Sequence, residues 1–184
     1  MTMKFKKTTD SGVTLIELII VIAMISILSA AVSPAIGRWL PSYRLKAAAR
    51  DIQSNLQKAR ILAIKENTQI DVIFDDSITP GYYYFDTQQN NTWDSGEYRV
   101  NFSNYDSRVD FGTGNATSSW SGSALTQADK ISFGTRGTAS PFGSVYIENM
   151  NADVCYAVTT LITGTMKIRR YNGNLPFDVD NWIE

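Results

Sequence analysis

Apolar positions along this 184-residue chain change period twice. From Val13 to Val32 they are nearly unbroken, and Glu17 is the only charged residue in the run. From Leu45 onward they recur every three or four positions, at Leu45, Ala48, Ala49, Ile52, Leu56, Ala59, Leu62 and Ala63. Arg44, Lys46, Arg50, Asp51, Lys58 and Lys65 fall largely between them. From Thr68 the period drops to two, as in Ile70, Val72 and Phe74 of "TQIDVIF". The first pattern predicts a helix apolar all round, because twenty helical residues match a hydrocarbon thickness of about 30 Å. The second predicts an amphipathic helix with one face on a core, ending near Glu66-Asn67. Pro34 and Pro41 lie between the two and can each kink a helix.

The third pattern predicts about eight short strands. They are "TQIDVIF", "YYYF", "YRVNF", "RVDF", "KISF", "SVYIE", "VCYAVTT" and "TMKIRR". Turn signals such as "TPG", "QQNN", "DSG", "NMNAD" and "YNGN" separate them. One long helix followed by strands reads as α+β, the helix packed on mostly antiparallel sheet. The Gly/Ser/Thr-rich stretch 112–129 reads as a long exposed loop. The expected organisation is a leader at 1–12, a membrane and assembly helix at 13–36, an amphipathic helix at 37–67 and a β-rich domain at 68–184.

Composition removes several function classes. The formal net charge is −1, and carboxylates outnumber cations from Tyr43 onward, so bulk charge does not favour nucleic acid. There is no histidine, the commonest general base and metal ligand. One cysteine, Cys155, excludes an intramolecular disulfide and a Cys/His metal cluster. It stands in the apolar "VCYAVTT" and reads as a buried thiol. Asp75-Asp76 and Asp178 with Asp180 are carboxylate pairs that could hold calcium weakly, but turn chemistry explains them. No cofactor is expected. A membrane-tethered enzyme is a remote third class, since no constellation of catalytic residues stands out.

The placement of Glu17 separates three readings of the N-terminus. As a secretory signal, "SAA" at Ser29–Ala31 would offer a cleavage site, but the apolar run is long and Glu17 interrupts it. As a plain anchor, Thr14-Leu15-Ile16-Glu17 has capping-box spacing. The third reading rests on Gly12-Val13-Thr14-Leu15-Ile16-Glu17, behind a leader carrying Lys4, Lys6 and Lys7. This resembles the prepilin peptidase site of type IV pilins and type II secretion pseudopilins. The resemblance implies cleavage between Gly12 and Val13, N-methylation of Val13, and Glu17 as the fifth mature residue with a role in assembly. The family's usual first residue is phenylalanine, where this chain has Val13. The leader lysines place the N-terminus in the cytoplasm before processing. The expected location is therefore the bacterial inner membrane, single-pass, with the C-terminal domain in the periplasm.

The domain narrows the family. "SYRLKAAARDIQSNLQKARILAIKEN", "ISFGTRGTASPFGSVYIEN" and "GTMKIRRYNG" resemble the H-type pseudopilin and FimT family. There an "F-x-x-x-G" turn and a final "G-x-x-x-I" strand close the sheet. The resemblance implies a minor pseudopilin, with other pilins, the prepilin peptidase and inner-membrane lipid as partners. It also implies an alternative, a FimT-like minor pilin that binds DNA during uptake through a G-R-x-R motif. The matching positions here are Gly164, Thr165, Met166 and Lys167, with Arg169 and Arg170 beyond. Lys167, Arg169 and Arg170 are therefore the candidate DNA contacts, Lys167 and Arg169 on one strand face. Tyr171 beside them could stack a base. The favoured reading is the pseudopilin.

Overall fold

The structure, a computed structural model, describes residues 12–105, 109–173 and 182–184; the side chains of residues 31–36 and 38 are outside the description. The chain divides into a unit up to Trp39 and a unit from Leu40 to Glu184. One helix, α1 (Leu15–Glu66), contributes to both and includes Pro34 and Pro41.

Local chemistry sets the ends of α1. Thr14 is the N-cap: its Oγ1 accepts the Glu17 N–H at 3.3 Å, and its carbonyl accepts the Leu18 N–H at 3.2 Å. Asn67 takes a left-handed φ of 50° at the other end. Thr68 N–H reaches back to the Ala63 carbonyl and Asn67 N–H to that of Ile64, the double closure that ends many helices. In the first unit, the apolar residues from Leu15 to Leu28 are all exposed. Among the described residues, no helix is long and apolar enough to cross a membrane.

In the second unit the amphipathic pattern is realised. Leu45, Ala48, Ala49, Ile52, Leu56, Ala59 and Ala63 are buried, with Leu62 packed at the edge. Four of these are alanines, which let strand side chains approach the helix closely. Nine strands are described. They are β1 (Ile70–Asp75), β2 (Tyr82–Asp86), β3 (Arg99–Asn101), β4 (Val109–Phe111), β5 (Lys130–Phe133), β6 (Gly143–Asn149), β7 (Cys155–Thr160), β8 (Met166–Tyr171) and β9 (Trp182–Ile183). They form two sheets, β3-β2-β1-β5 and β4-β6-β7-β8-β9. Every ladder within them is antiparallel.

One core joins α1 to both sheets, through residues such as Val72, Phe85 and Phe133 from the first and Val145, Ile147 and Val158 from the second. Burying each such side chain contributes about 1.5–3 kcal/mol, against at most about 1 kcal/mol for an exposed ion pair. The apolar face therefore decides how α1 sits on the sheets.

The expected architecture of about eight mostly antiparallel strands stands; β9 is the strand the pattern does not announce, lying in "NWIE" and pairing Trp182 with Tyr171 and Ile183 with Arg170. One expectation needs correction. The stretch 112–129 is not simply an exposed loop. Ser118 and Ser119 are buried, and Ala116, Trp120 and Leu125 pack on a second cluster of Tyr146, Cys155, Ala157, Tyr171 and Trp182. The reason is β7, buried at all six positions. Its Val158 faces the α1 core, while Cys155 and Ala157 face the other way and need a cover of their own.

Candidate functional site

The N-terminal residues singled out by the sequence sit in the open. Among the described residues, no atom beyond its chain neighbours lies within 4 Å of where a Gly12 Cβ would be, and Val13 is 74% exposed. Glu17 stands in the first turn of α1 and is exposed among apolar neighbours that are themselves exposed. Its backbone N–H completes the Thr14 cap, the N-cap half of the capping box that the spacing allows. The cap accounts for the Glu17 N–H and leaves the carboxylate free for another role.

The three cations of the closing strand divide between two faces, as strand alternation requires. Lys167 Nζ lies 2.6 Å and Arg169 Nη2 3.0 Å from the same oxygen, Oε1 of Glu184. Arg169 also stacks over Trp120, its centre 4.4 Å from the ring, and only 11% of its side chain is exposed. The two cations lower the Glu184 carboxyl below its ordinary value, with the Lys167 hydrogen bond the largest cause. Arg170 points to the other face and is exposed. Tyr171 is buried and shares a hydrogen bond with Thr117 Oγ1 at 2.9 Å, so its ring belongs to the second cluster.

The glycines of the "F-x-x-x-G" and "G-x-x-x-I" segments, Gly137 and Gly164, meet in space. A Cβ on Gly164 would lie 2.1 Å from the Gly137 carbonyl oxygen and 2.8 Å from Arg60 Nε. Both glycines have φ of +75°, which favours a residue without Cβ. Arg60 on α1 donates Nε to the Gly137 carbonyl at 2.8 Å and Nη2 to the Thr163 carbonyl at 3.3 Å. One arginine thus fastens the helix to both closing turns. Sequence reasoning did not single out Arg60.

The remaining candidates resolve into structure. Cys155 is buried, and burial pushes its thiol up to about 12. Asp75 accepts Ser77 N–H at 2.9 Å and Ser77 Oγ–H at 2.5 Å on one oxygen and the Tyr82 hydroxyl on the other. These hydrogen bonds lower its carboxyl below the ordinary value, the Ser77 side chain first. Asp178 and Asp180 lie outside the described residues. Among the described residues, no group of three or more metal-ligating side chains comes together.

Comparison with known proteins gives two matches. A family model described as type II transport protein GspH matches residues 48–164. A model of the prokaryotic N-terminal methylation motif matches residues 7–33. No curated protein and no solved structure matches the chain.

Proposed function

This chain belongs to the GspH family of type II transport proteins, and on that premise we propose that it is a minor pseudopilin, a structural subunit of a periplasmic pilus-like fibre. One observation carries the proposal. The first turns of α1 expose apolar side chains on every side, and the single carboxylate among them, Glu17, follows shortly after the Gly12-Val13 junction. The methylation-motif match over 7–33 spans the same residues. A helix apolar all round requires an apolar environment, either lipid or neighbouring helices.

The mechanism follows from charge. The apolar run inserts into the inner membrane with the leader lysines on the cytoplasmic side. The prepilin peptidase cuts between Gly12 and Val13, where the residue before the cut carries no side chain. The new amine on Val13 is methylated and keeps a positive charge. An unpaired ion in hydrocarbon is costly. When subunit helices pack side by side, Glu17 of one subunit pairs with the amine of its neighbour, which satisfies both and sets the register. The domain from 68 onward then stands in the periplasm.

The alternative is a FimT-like minor pilin that takes up DNA. Against it stands Glu184, which engages Lys167 and Arg169. The excess of carboxylates over cations from Tyr43 onward opposes it as well.

Intact mass of the membrane-extracted protein tests the proposal. Wild type is expected to begin at methylated Val13, and Gly12→Val to keep residues 1–12. A mature chain beginning near Val32 would instead establish a secretory signal and end the fibre reading.

A further inference from the structure

Beside α1, strands β7, β8 and β9 carry one row of side chains on the helix-facing side. The ladder sets Tyr156 opposite Arg170 and Arg170 opposite Ile183. Ile168, two residues before Arg170, shares their face. On α1, Lys46 and Arg50 are four residues apart and therefore share one side of the helix. These residues, with Glu184 at the rim, line a cleft of 380 Å³. Its lining combines three cations with Tyr156, Ile168 and Ile183 and the one carboxylate of Glu184.

The charge in this cleft is unbalanced. Like charges four apart on a helix repel each other, and Arg170 adds a third cation. Among the described residues, no carboxylate lies within ion-pair distance of Lys46, Arg50 or Arg170. Glu184, the one acid among the described residues that line the cleft, gives its Oε1 to Lys167 and Arg169 on the opposite face. Lys46, Arg50 and Arg170 are all exposed. They are open to a partner from outside.

We infer that this cleft is a docking surface for an acidic, aliphatic segment of a neighbouring pilin-type subunit. The partner's identity rests on the pseudopilin reading. Its chemistry rests on the cleft. Two arginines offer planar donor forks that match carboxylates in bidentate geometry. Tyr156, Ile168 and Ile183 give the aliphatic stems beside those carboxylates a dry seat. A nucleic-acid duplex fits less well, because it needs cations spread along a surface to meet successive phosphates. Here three cations ring a single cleft, and the other two cations of β8 are already paired.

The test uses the full-length chain in detergent, titrated separately with each purified pilin-type subunit encoded beside it. At least one subunit is expected to bind, with affinity falling as salt rises. The triple variant Lys46→Ala, Arg50→Ala, Arg170→Ala should bind at least tenfold more weakly, and Arg170→Glu alone should also weaken binding. Lys65→Ala, a cation elsewhere on α1, should bind as wild type. Circular dichroism and mass of the processed N-terminus accompany each variant. Unchanged binding by the triple variant, with Gly12-dependent processing intact, overturns the docking surface and leaves the pseudopilin standing. Loss of Gly12-dependent processing overturns the pseudopilin and the docking partner together. Retardation of a 60-base-pair duplex by wild type, lost in the triple variant, overturns the inference in favour of nucleic acid.

Discussion

Gly164 illustrates how much of this protein is decided by single contacts. With alanine there, a Cβ would need the space of the Gly137 carbonyl oxygen, 2.1 Å away, on a backbone already at φ +75°. Neither partner can move freely, since that carbonyl also holds Arg60 Nε. Gly164→Ala is therefore expected to cost about 2–4 kcal/mol, the sum of left-handed strain and a backbone shift. Arg60→Ala removes two hydrogen bonds to turn carbonyls and should cost about 1–3 kcal/mol. The double variant should cost less than the sum, because the first substitution already displaces the turn the arginine holds. Urea unfolding of the four proteins measures this; strict additivity would show that Arg60 and Gly164 act apart. The two glycines were legible as punctuation in the sequence. Arg60 was not, because its carbonyl partners lie 77 and 103 residues away. Asp86 was missed for a related reason. It is fully buried and accepts backbone N–H groups from Gln88, Asn90 and Asn91, so it organises a turn that "QQNN" announced without naming its anchor.

Elements were legible wherever a period repeated. The helix face from Leu45 to Ala63 and the alternation in β1 both needed several turns or pleats to declare themselves. Strand β9 has two residues and no period, and its neighbours Asp178, Asp180 and Asn181 read as turn chemistry. It is held instead by particular contacts. Trp182 donates its indole N–H to the Ser118 carbonyl at 2.8 Å and packs against Tyr146 and Tyr171. Glu184 is clamped by Lys167 and Arg169. The carboxyl is lowered in the folded protein, so its contribution is fully present above the ordinary carboxylate value and is lost as pH falls through the folded value. Acid should therefore loosen β9 before the core yields. The indole proton–nitrogen resonance of Trp182 is expected to shift or broaden only as pH falls below the ordinary glutamate value of about 4.3, toward the lowered folded value, while signals from Ile52 and Val158 stay in place. Glu184→Gln should bring the same change at neutral pH. A Trp182 signal indifferent to both would show that aromatic packing alone holds the strand. The cover formed by 112–129 was hidden likewise: its anchors, Ser118 and Trp120, have no repeat around them, and the demand for a cover arises on β7, far along the chain.

At the scale of the whole molecule, the chain carries two apolar surfaces with opposite fates. The face of α1 from Leu45 to Ala63 is satisfied within the domain, whereas the residues from Leu15 to Leu28 remain exposed and await partners. Glu17 tests what those partners are. A charged residue costs about 2.5–3.5 kcal/mol at the centre of a membrane helix on insertion scales, and less near the end, where Glu17 stands. Replacing it with valine should leave membrane association unchanged or stronger. If lipid were the only partner, nothing else would change. In the fibre we propose, however, Glu17 would face the Val13 amine of a neighbour in a medium of low dielectric, and removing one member of such a pair costs about 3–5 kcal/mol. That corresponds to a loss of at least about a hundredfold in the association constant. Glu17→Val is therefore expected to fractionate with inner membrane, to be processed at Gly12, and yet to drop out of fibres sheared from cells that overproduce the machine. Glu17→Asp, with the carboxylate kept but one methylene shorter, should recover part of the incorporation. Full incorporation of Glu17→Val would mean that the carboxylate has no counter-charge in the assembly, and only the Thr14 cap, which uses the Glu17 backbone and not its side chain, would remain to account for this position.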